Sequence, residues 1–232
     1  MSSANVEVSV LMPVYNERAT IERAIAGVLD APISDRFELL IVDDGSSDGT
    51  SELLQTREWP PHVRVLRHDR NRGKGAAIRT ALTEARGVYS TIMDADLEYA
   101  PADISSLLGP LRSGEAEVVF GTRGFQAHSA YSFWYVVGNH AVTFFANLLF
   151  NCWISDIMTG QKAMSTELFR SLDLRAGGFA IEAEITGRLV RRGVRVYEVP
   201  IDYRARSRAE GKKLTAFDGL RVVATLLRCR FT

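Results

Sequence analysis

"FELLIVDDGSSDGT", residues 37–50, is the stretch that decides the fold. It opens with an apolar run and ends in two aspartates and a turn of glycine, serine and aspartate. A short apolar run bounded by turn residues is typical of a buried strand. Ser47 or Asp48 can cap a following helix, because both side chains accept hydrogen bonds from free backbone N–H groups. The stretch therefore predicts a buried strand that leads through a polar turn into a helix.

The same order of strand and helix continues on both sides of this stretch. Apolar residues at helical spacing predict helices over 18–30 and 73–87. Further strands are predicted at 6–16, 63–69, 88–96 and 116–123. Strands that alternate with helices predict an α/β fold with a doubly wound, mainly parallel sheet. In such sheets, ligands bind beyond the carboxyl ends of the strands.

The predicted strand ends carry polar side chains. They are Tyr15-Asn16-Glu17, Asp43-Asp44, His68-Asp69, Asp94-Asp96 and Thr122-Arg123. Because the carboxyl ends of parallel strands meet at one edge of a sheet, these residues should line a common rim. The sequence therefore places the candidate site at this rim.

The second half of the chain has a different pattern. After a predicted loop at 124–130, the sequence predicts a long helix over 131–150, a strand over 194–204, a basic loop and a last helix over 215–230. No internal repeat and no low-complexity linker interrupts the chain. We therefore expect a single domain over 1–232 with a C-terminal helical elaboration.

Composition excludes several classes of protein. Lys plus Arg equals Asp plus Glu, 28 each, so the formal net charge is zero and bulk binding to nucleic acid is not expected. The two cysteines have no metal-ligand spacing and cannot form a disulfide framework, which fits a reducing cytoplasm. No signal peptide is predicted at the N-terminus. Polar residues interrupt the apolar stretch 133–150, so we predict no transmembrane helix.

Asp94 and Asp96 form the clearest candidate metal site. They lie two residues apart after a predicted buried strand, so in an extended segment both side chains point the same way. Mg²⁺ and Mn²⁺ take such hard oxygen ligands together with substrate phosphates. The alternative is a loop of solvated or helix-capping carboxylates. The second acidic pair, Asp43-Asp44, favours the metal interpretation.

Other nucleotide-binding motifs are absent or incomplete. No GxxxxGK[ST] sequence is present, and Ile78 stands where a dinucleotide fingerprint needs its third glycine. A receiver domain also uses an acidic pair, but there it follows the first strand rather than the second. A receiver would also want a lysine after its fifth strand, where this chain has Gly-Thr-Arg.

Taken in order, the motifs resemble those of family 2 glycosyltransferases of the GT-A fold, and more narrowly of polyprenyl-phosphate (dolichyl-phosphate) sugar synthases. They are "MPVYNE", "IVDDGSSDGT", "RNRGKGAAI", "DADLEY", "VVFGTR" and "YRARSRAEGKK". The resemblance covers nearly the whole chain. It implies that 1–123 forms a half that binds the nucleotide sugar, and that 124–232 forms a half that binds the acceptor and carries amphipathic helices.

The resemblance also implies roles for individual residues. Donor binding would involve Pro13, Tyr15, Glu17, Asp43, Asp44, Arg70, Lys74, Asp94, Ala95 and Asp96. The metal, Mg²⁺ or Mn²⁺, would be held by Asp94 and Asp96, with Glu98 as a third ligand. The catalytic residues would be Asp96 and Asp156, the latter as a base or a positioning group. The acceptor phosphate would be bound by Arg123, Arg206, Lys212 and Lys213.

The resemblance predicts a metal-dependent inverting glycosyltransferase that moves a hexose or N-acetylhexosamine from a nucleotide sugar to polyprenyl phosphate. We expect a UDP-sugar donor, with GDP-mannose as the other possibility. The helices at 131–150 and 215–230 are amphipathic, which predicts peripheral attachment to the inner face of the cell membrane, although a packed core helix would show a similar pattern. The alternatives are a family 2 transferase for a polysaccharide or protein acceptor, and a non-catalytic nucleotide-sugar-binding or receiver-like module. The sequence does not reveal the oligomeric state.

Overall fold

The computed structural model describes residues 6–124, 132–206 and 216–232, with only the backbone described for 216–218. The described strands are β1 (Val8–Val14), β2 (Phe37–Asp43), β3 (Val63–Arg67), β4 (Tyr89–Ile92), β5 (Val118–Arg123), β6 (Lys162–Ser165) and β7 (Val196–Ile201). The described helices are α1 (Ile21–Asp30), α2 (Thr50–Thr56), α3 (Lys74–Glu84), α4 (Asp103–Arg112), α5 (Phe133–Phe150), α6 (Thr166–Ser171), α7 (Ala180–Arg191) and α8 (Ala216–Phe231).

The strands form one sheet in the order β3-β2-β1-β4-β6-β5-β7. All paired strands are parallel except β6, which runs antiparallel to both β4 and β5. The predicted doubly wound, mainly parallel sheet is therefore confirmed. Strand β6 was not predicted, because its four residues include Lys162 and follow a polar stretch. Lys162 is nevertheless fully buried, above the ring of Phe120 at 4.5 Å.

Helices cover both faces of the sheet, and the strands alternate between the two cores. Val10 and Met12 of β1 point into one core together with α1 and α4. Leu11, between them, points into the other core together with α3 and α7. This alternation is the two-residue period of a strand that is buried on both faces. The candidate site lies beyond the carboxyl ends of these strands, where the polar side chains of Asp44, Asp94 and Asp96 follow them.

Helix α5 directs a row of polar side chains, its polar stripe, toward the rest of the protein. Asn139 and Thr143 are buried, and the Asn147 side chain bonds the backbone of Ile154 in the next segment. On the outer side, large apolar residues are exposed, among them Phe144 and Leu148, which are 69% and 72% exposed. Phe145 and Leu149 pack against the core, so α5 is packed on one side and exposes apolar side chains on the other.

Helix α8 packs against α5 and α7. It buries Val222, Leu226 and Cys229, while Leu220 is exposed. Thr225 is also buried, and its hydroxyl donates to the carbonyl of Arg221 within the helix, which satisfies the buried polar group. Among the described residues, no helix is both long enough and apolar enough to cross a membrane.

Candidate functional site

The loop after β2 is fixed by its two aspartates. Asp43 accepts hydrogen bonds from the Ser46 backbone and the Ser51 hydroxyl, which shapes the polar turn. Asp44 accepts from the backbone N–H groups of Arg72 and Gly73, at 2.9 and 2.7 Å. The first acidic pair therefore joins the end of β2 to the start of α3, and Asp44 faces the site while Asp43 supports the turn.

The start of α3 lies against the segment 175–179. The Gly75 N–H donates to the carbonyl of Gly177 at 2.7 Å. A Cβ atom at position 75 would lie 2.0 Å from the carbonyl oxygen of Ala176, so only glycine allows this approach. The close contact brings Gly178 and Phe179 beside Lys74.

Lys74 bridges two carboxylates at the bottom of the site. Its Nζ lies 2.7 Å from Asp94 Oδ2 and 2.9 Å from Glu182 Oε1. Burial alone would lower the pKa of Lys74, but the charges of Asp94 and Glu182 raise it above its ordinary value. Lys74 is therefore a fixed positive charge. Glu182 in turn holds the buried ammonium of Lys162 at 3.2 Å.

Asp94 and Asp96 lie in the loop after β4, which ends at Ile92, short of the strand predicted to Asp96. Burial and the neighbouring carboxylates of Asp94 and Glu98 raise the pKa of Asp96 to about 7, against the lowering effect of Arg206. The folded chain therefore crowds negative charge at this loop, as a cation-binding site requires.

Arg206 extends from the end of the described segment 132–206 into this acidic group. Its guanidinium contacts Glu17 Oε2 at 3.2 Å, Asp96 Oδ2 at 2.9 Å and Glu98 Oε1 at 3.6 Å. Both oxygens of Glu98 are already engaged, one by the Arg206 backbone N–H and the other by the Tyr203 hydroxyl. A metal-ligand role for Glu98 stays a prediction, and Glu98 would have to exchange these partners to fill it.

These elements enclose a cavity of about 260 Å³ beyond the ends of β1, β2 and β4. Its wall contains most of the residues predicted for donor and metal: Pro13, Tyr15, Glu17, Asp44, Lys74, Asp94, Ala95, Asp96 and Glu98. Arg206 lines the same cavity. The structure thus brings together residues that lie up to 193 positions apart in the sequence, from Pro13 to Arg206.

Other predicted site residues lie elsewhere. Asp43, Arg70, Arg123 and Asp156 are not part of the described wall of this cavity. Lys212 and Lys213 lie outside the described residues. Their predicted roles stay predictions.

Asp156 and Arg123 form a buried ion pair beneath α5. Arg123 Nε and Nη2 donate to the two oxygens of Asp156 at 2.6 and 2.8 Å, and Asn139 donates to the same carboxylate at 3.2 Å. Burial alone would raise the pKa of Asp156, but Arg123 and Asn139 hold it below its usual value. Such a carboxylate is a weak proton acceptor. The pair suits positioning, because Arg123 also donates to the Tyr135 hydroxyl at 3.0 Å in the cavity wall.

The cavity residues suit a divalent cation by their charge, with two carboxylates rather than a complete set of protein ligands, because no group of three or more His, Cys, Asp or Glu among the described residues is arranged to hold a metal ion. Five carboxylates and two cationic side chains line the described wall: Glu17, Asp44, Asp94, Asp96 and Glu98 against Lys74 and Arg206. A nucleoside diphosphate is itself an anion, so it would enter this wall only with added positive charge. Asp94 Oδ1 accepts no hydrogen bond from the described residues and is available as a hard oxygen ligand. Asp94 and Asp96 are therefore the residues that would hold Mg²⁺ or Mn²⁺.

Sequence reasoning missed Glu182, Tyr135 and Phe179. Glu182 and Glu184 are two buried acids on α7, in a stretch that reads "AIEAEITG". Because carboxylates are rarely buried without a partner, two acids among the apolar residues of the first half of α7 were the available signal. Nothing in the sequence marked Tyr135 or Phe179 apart from other aromatic residues.

Replacing Glu182 with Gln should destabilise the chain. The change removes the carboxylate that pairs with the buried ammonium of Lys162 and one of the two carboxylates that pair with Lys74. Breaking a buried ion pair costs about 3 kcal/mol or more. We expect a loss of about that size in the free energy of unfolding, measured by urea denaturation. Glu167→Gln on α6 is the matched control. Equal stability of the two variants would show that the ion pairs of Glu182 with Lys74 and Lys162 do not stabilise the fold.

The fold and the acidic cavity define a protein of the GT-A class. A crystal structure of glucosyl-3-phosphoglycerate synthase from Mycobacterium tuberculosis, with Mn²⁺, UDP-glucose and phosphoglyceric acid, matches with a TM-score of 0.71 at 25% identity. The match covers 98% of this chain and 80% of that one. Residues 9–173 match the model of glycosyl transferase family 2, and the chain belongs to this family.

Two relatives are similar over most of the chain. The undecaprenyl-phosphate mannosyltransferase of Micrococcus luteus is 30% identical over 92% of this chain and 90% of its own length. The dolichol-phosphate mannosyltransferase of Pyrococcus furiosus is 28% identical over 96% of this chain. The chain spans only 64% of that relative's length, less than two thirds.

Proposed function

We propose that this chain is a metal-dependent, inverting glycosyltransferase that moves one sugar from a nucleotide sugar to polyprenyl phosphate. The observation that carries the proposal is the single cavity in which Asp94, Asp96 and Lys74 meet Arg206. The two aspartates and Lys74 suit the donor diphosphate with its metal. Arg206 suits the phosphate of the acceptor. We infer a UDP-sugar donor, with GDP-mannose as the alternative that the names of the two relatives favour.

The donor side of the proposal rests on the wall formed by 1–123. When bound at Asp94 and Asp96, the divalent cation would offset the charge that develops on the departing diphosphate. Lys74 adds a fixed positive charge at the same place, 2.7 Å from Asp94. Tyr15 and Pro13 border the cavity at the end of β1, where the base and ribose of the donor would lie. The crystal structure with Mn²⁺ and UDP-glucose supports this use of the fold.

The acceptor side of the proposal rests on 124–232. A phosphomonoester carries close to two negative charges near pH 7, so its oxygen is already a competent nucleophile. In the proposed reaction this oxygen bonds to the anomeric carbon while the bond from that carbon to the diphosphate oxygen breaks, and the diphosphate leaves with the electron pair. A strong base is then unnecessary. This agrees with Asp156 being held by Arg123.

Peripheral attachment to the inner face of the membrane completes the proposal. Helix α5 exposes Phe133, Trp134, Phe144 and Leu148, and Trp153 follows it at 86% exposure. Aromatic and aliphatic side chains on one helix surface favour the membrane interface. The cavity wall includes Tyr135 of the same helix, so a lipid phosphate at the interface would lie near the donor.

Replacing both Phe144 and Leu148 with Ser should weaken membrane binding without unfolding the chain. Both side chains are largely exposed, so the substitutions should weaken membrane binding without lowering the stability of the fold. Partial burial of each side chain at the interface contributes more than about 1 kcal/mol to the free energy of binding. We expect at least about a tenfold loss of co-sedimentation with lipid vesicles. Val88→Ser, at an exposed apolar residue before β4, is the control. Equal binding by the double variant and the wild type would show that α5 does not contact the membrane.

The proposed reaction is tested by a panel of labelled donors. Purified protein with Mg²⁺ or Mn²⁺ is incubated with UDP-glucose, UDP-N-acetylglucosamine or GDP-mannose, and with polyprenyl phosphate or the unphosphorylated polyprenol. We expect label in the organic phase for one donor, only with the phosphorylated lipid, and none with EDTA. Transfer to a polysaccharide or protein in place of the lipid would favour the first alternative. Donor binding without transfer to any acceptor would favour a non-catalytic module.

A further inference from the structure

A second cavity, of about 160 Å³, lies between α7 and α8. Four arginines line it: Arg175, Arg188, Arg191 and Arg228. The two helices are in close contact here, because a Cβ atom at Gly187 of α7 would lie 2.8 Å from the Cβ atom of Cys229 on α8. The cavity therefore lies where two packed helices meet, and Arg175, Arg191 and Arg228 line it as exposed side chains.

The cavity carries an excess of positive charge. Glu184 is the one acidic side chain among the described residues of its wall, and it is already occupied. Its Oε2 accepts the backbone N–H groups of Arg175 and Ala176, at 2.8 and 2.7 Å, and its Oε1 accepts from Arg188 at 3.0 Å. No further acidic side chain among the described wall residues is left to pair with the other guanidinium groups.

Arg191 and Arg228 are the arginines that lack a carboxylate. Arg191 donates to the carbonyl oxygen of Cys229 at 3.2 Å. No carboxylate of the described residues lies within ion-pair distance of either guanidinium, whereas Arg175 pairs with Asp173 outside the cavity. Two positive charges that face one cavity repel each other, and an anion between them would turn this repulsion into attraction.

We propose that this arginine cavity binds a phosphate group. Guanidinium groups bind phosphate oxygens through paired N–H donors, which makes arginine the side chain best suited to such a ligand. Thr225 and Thr232 line the same space, but their hydroxyls donate to the backbone carbonyls of Arg221 and Arg228, so the guanidinium groups are the donors that the proposal uses. Neither the metal site nor the transfer reaction involves this cavity, so the proposal stands independently of the function proposed above.

The phosphate can belong to a lipid headgroup or be free in solution. Leu227 and Phe231 flank Arg228 along α8, and Phe231 is 76% exposed. Apolar side chains that enter a membrane interface would hold Arg228 at the depth of the lipid headgroups. Inorganic phosphate would offer the same oxygens without a membrane. The two sources share one chemistry and are separated by experiment.

The experiment uses two probes on the full chain. Inorganic phosphate is titrated calorimetrically, and flotation is measured with phosphatidylcholine vesicles with and without phosphatidylglycerol. The variants are Arg228→Gln and Arg191→Gln. The matched control is Arg230→Gln, which removes the same charge from the same helix but does not line the cavity. Melting temperatures check that all variants fold.

We expect Arg228→Gln and Arg191→Gln each to weaken binding about tenfold or more, because each loses hydrogen bonds between charged groups, and Arg230→Gln to bind like the wild type. Saturable binding of inorganic phosphate identifies a site for free phosphate, and binding only to vesicles with phosphatidylglycerol identifies a headgroup site. Equal loss in Arg228→Gln and Arg230→Gln would overturn the proposal, since it would show diffuse attraction. Absence of wild-type binding to both probes would overturn it as well.

Discussion

Replacing Asp96 with Asn lowers the rate of sugar transfer about a thousandfold and leaves the fold intact. This is the result we expect, because Asn keeps the shape of the side chain and removes the charge that would hold the cation beside the diphosphate. Loss of one element of transition-state charge stabilisation typically reduces kcat by 10² to 10³, and here a metal ligand is lost in addition. The measurement is kcat/KM with the donor found in the panel, together with Mn²⁺ binding by calorimetry.

The stability of the same variant gives an independent check. The pKa of Asp96 is raised in the folded chain to about 7, so the folded state favours the neutral side chain. Stability from this group is present at low pH and is lost as the pH rises through about 7. Asn is neutral at every pH, so at pH 8 the variant should melt no lower than the wild type. A site that crowds charge for function is expected to behave in this way.

Asp69→Asn is the matched control for this prediction. Asp69 is an exposed acid that follows β3 and lies outside the described wall of the cavity. We expect unchanged transfer and unchanged Mn²⁺ affinity in this variant. Full transfer activity in Asp96→Asn would show that Asp96 does not hold the metal. Lys74 would then be the positive charge left to stabilise the departing diphosphate.

The first half of the fold could be predicted because its strands are buried on both faces. Residues 39–42 of β2 form an uninterrupted apolar run that ends at Asp43, and the structure ends the strand at the same residue. Asp94 and Asp96 were placed at the correct end of the sheet for the same reason. The exact end of β4 was not predicted, because "STIMDAD" continues without a turn residue past Ile92.

The second half was harder to predict because its charged groups are satisfied by distant partners. Lys162 reads as a surface residue in the sequence, yet it is buried against Glu182, twenty residues later. For Arg123 the resemblance implies binding of the acceptor phosphate, and in the structure its guanidinium is paired with Asp156. Local patterns report spacing along one element, whereas these ion pairs depend on how elements meet. The inward polar stripe of α5 has the same origin, since Asn139 bonds this pair.

Arg206 is the residue for which we predict the largest effect on the acceptor. Replacing it with Gln should raise the KM for polyprenyl phosphate about tenfold or more and change the KM for the donor less. The Arg206 guanidinium reaches the cavity, where its positive charge can bind a phosphate group. A glutamine amide is neutral and would bind the phosphate more weakly. Initial rates with each substrate varied in turn separate the two effects.

Binding of Mn²⁺ to the same variant tests whether Arg206 competes with the metal. In the structure its Nη2 lies 2.9 Å from Asp96 Oδ2, so arginine and cation share one carboxylate. Because Gln removes the competing charge, Mn²⁺ should bind Arg206→Gln at least as tightly as the wild type. A variant that lost both acceptor and metal binding would instead indicate collapse of the loop.

The neighbouring Arg204 provides the control for the acceptor effect. It is exposed, lies two residues earlier and does not line the cavity, so Arg204→Gln should leave both KM values close to those of the wild type. If the KM for polyprenyl phosphate is unchanged in Arg206→Gln, the assignment of Arg206 to the acceptor is wrong. Its contacts with Glu17, Asp96 and Glu98 would then serve to hold the acidic loop together before the donor and its cation bind. The ratio of the two KM values therefore decides whether this arginine recognises the lipid phosphate or only stabilises the site that will receive the metal.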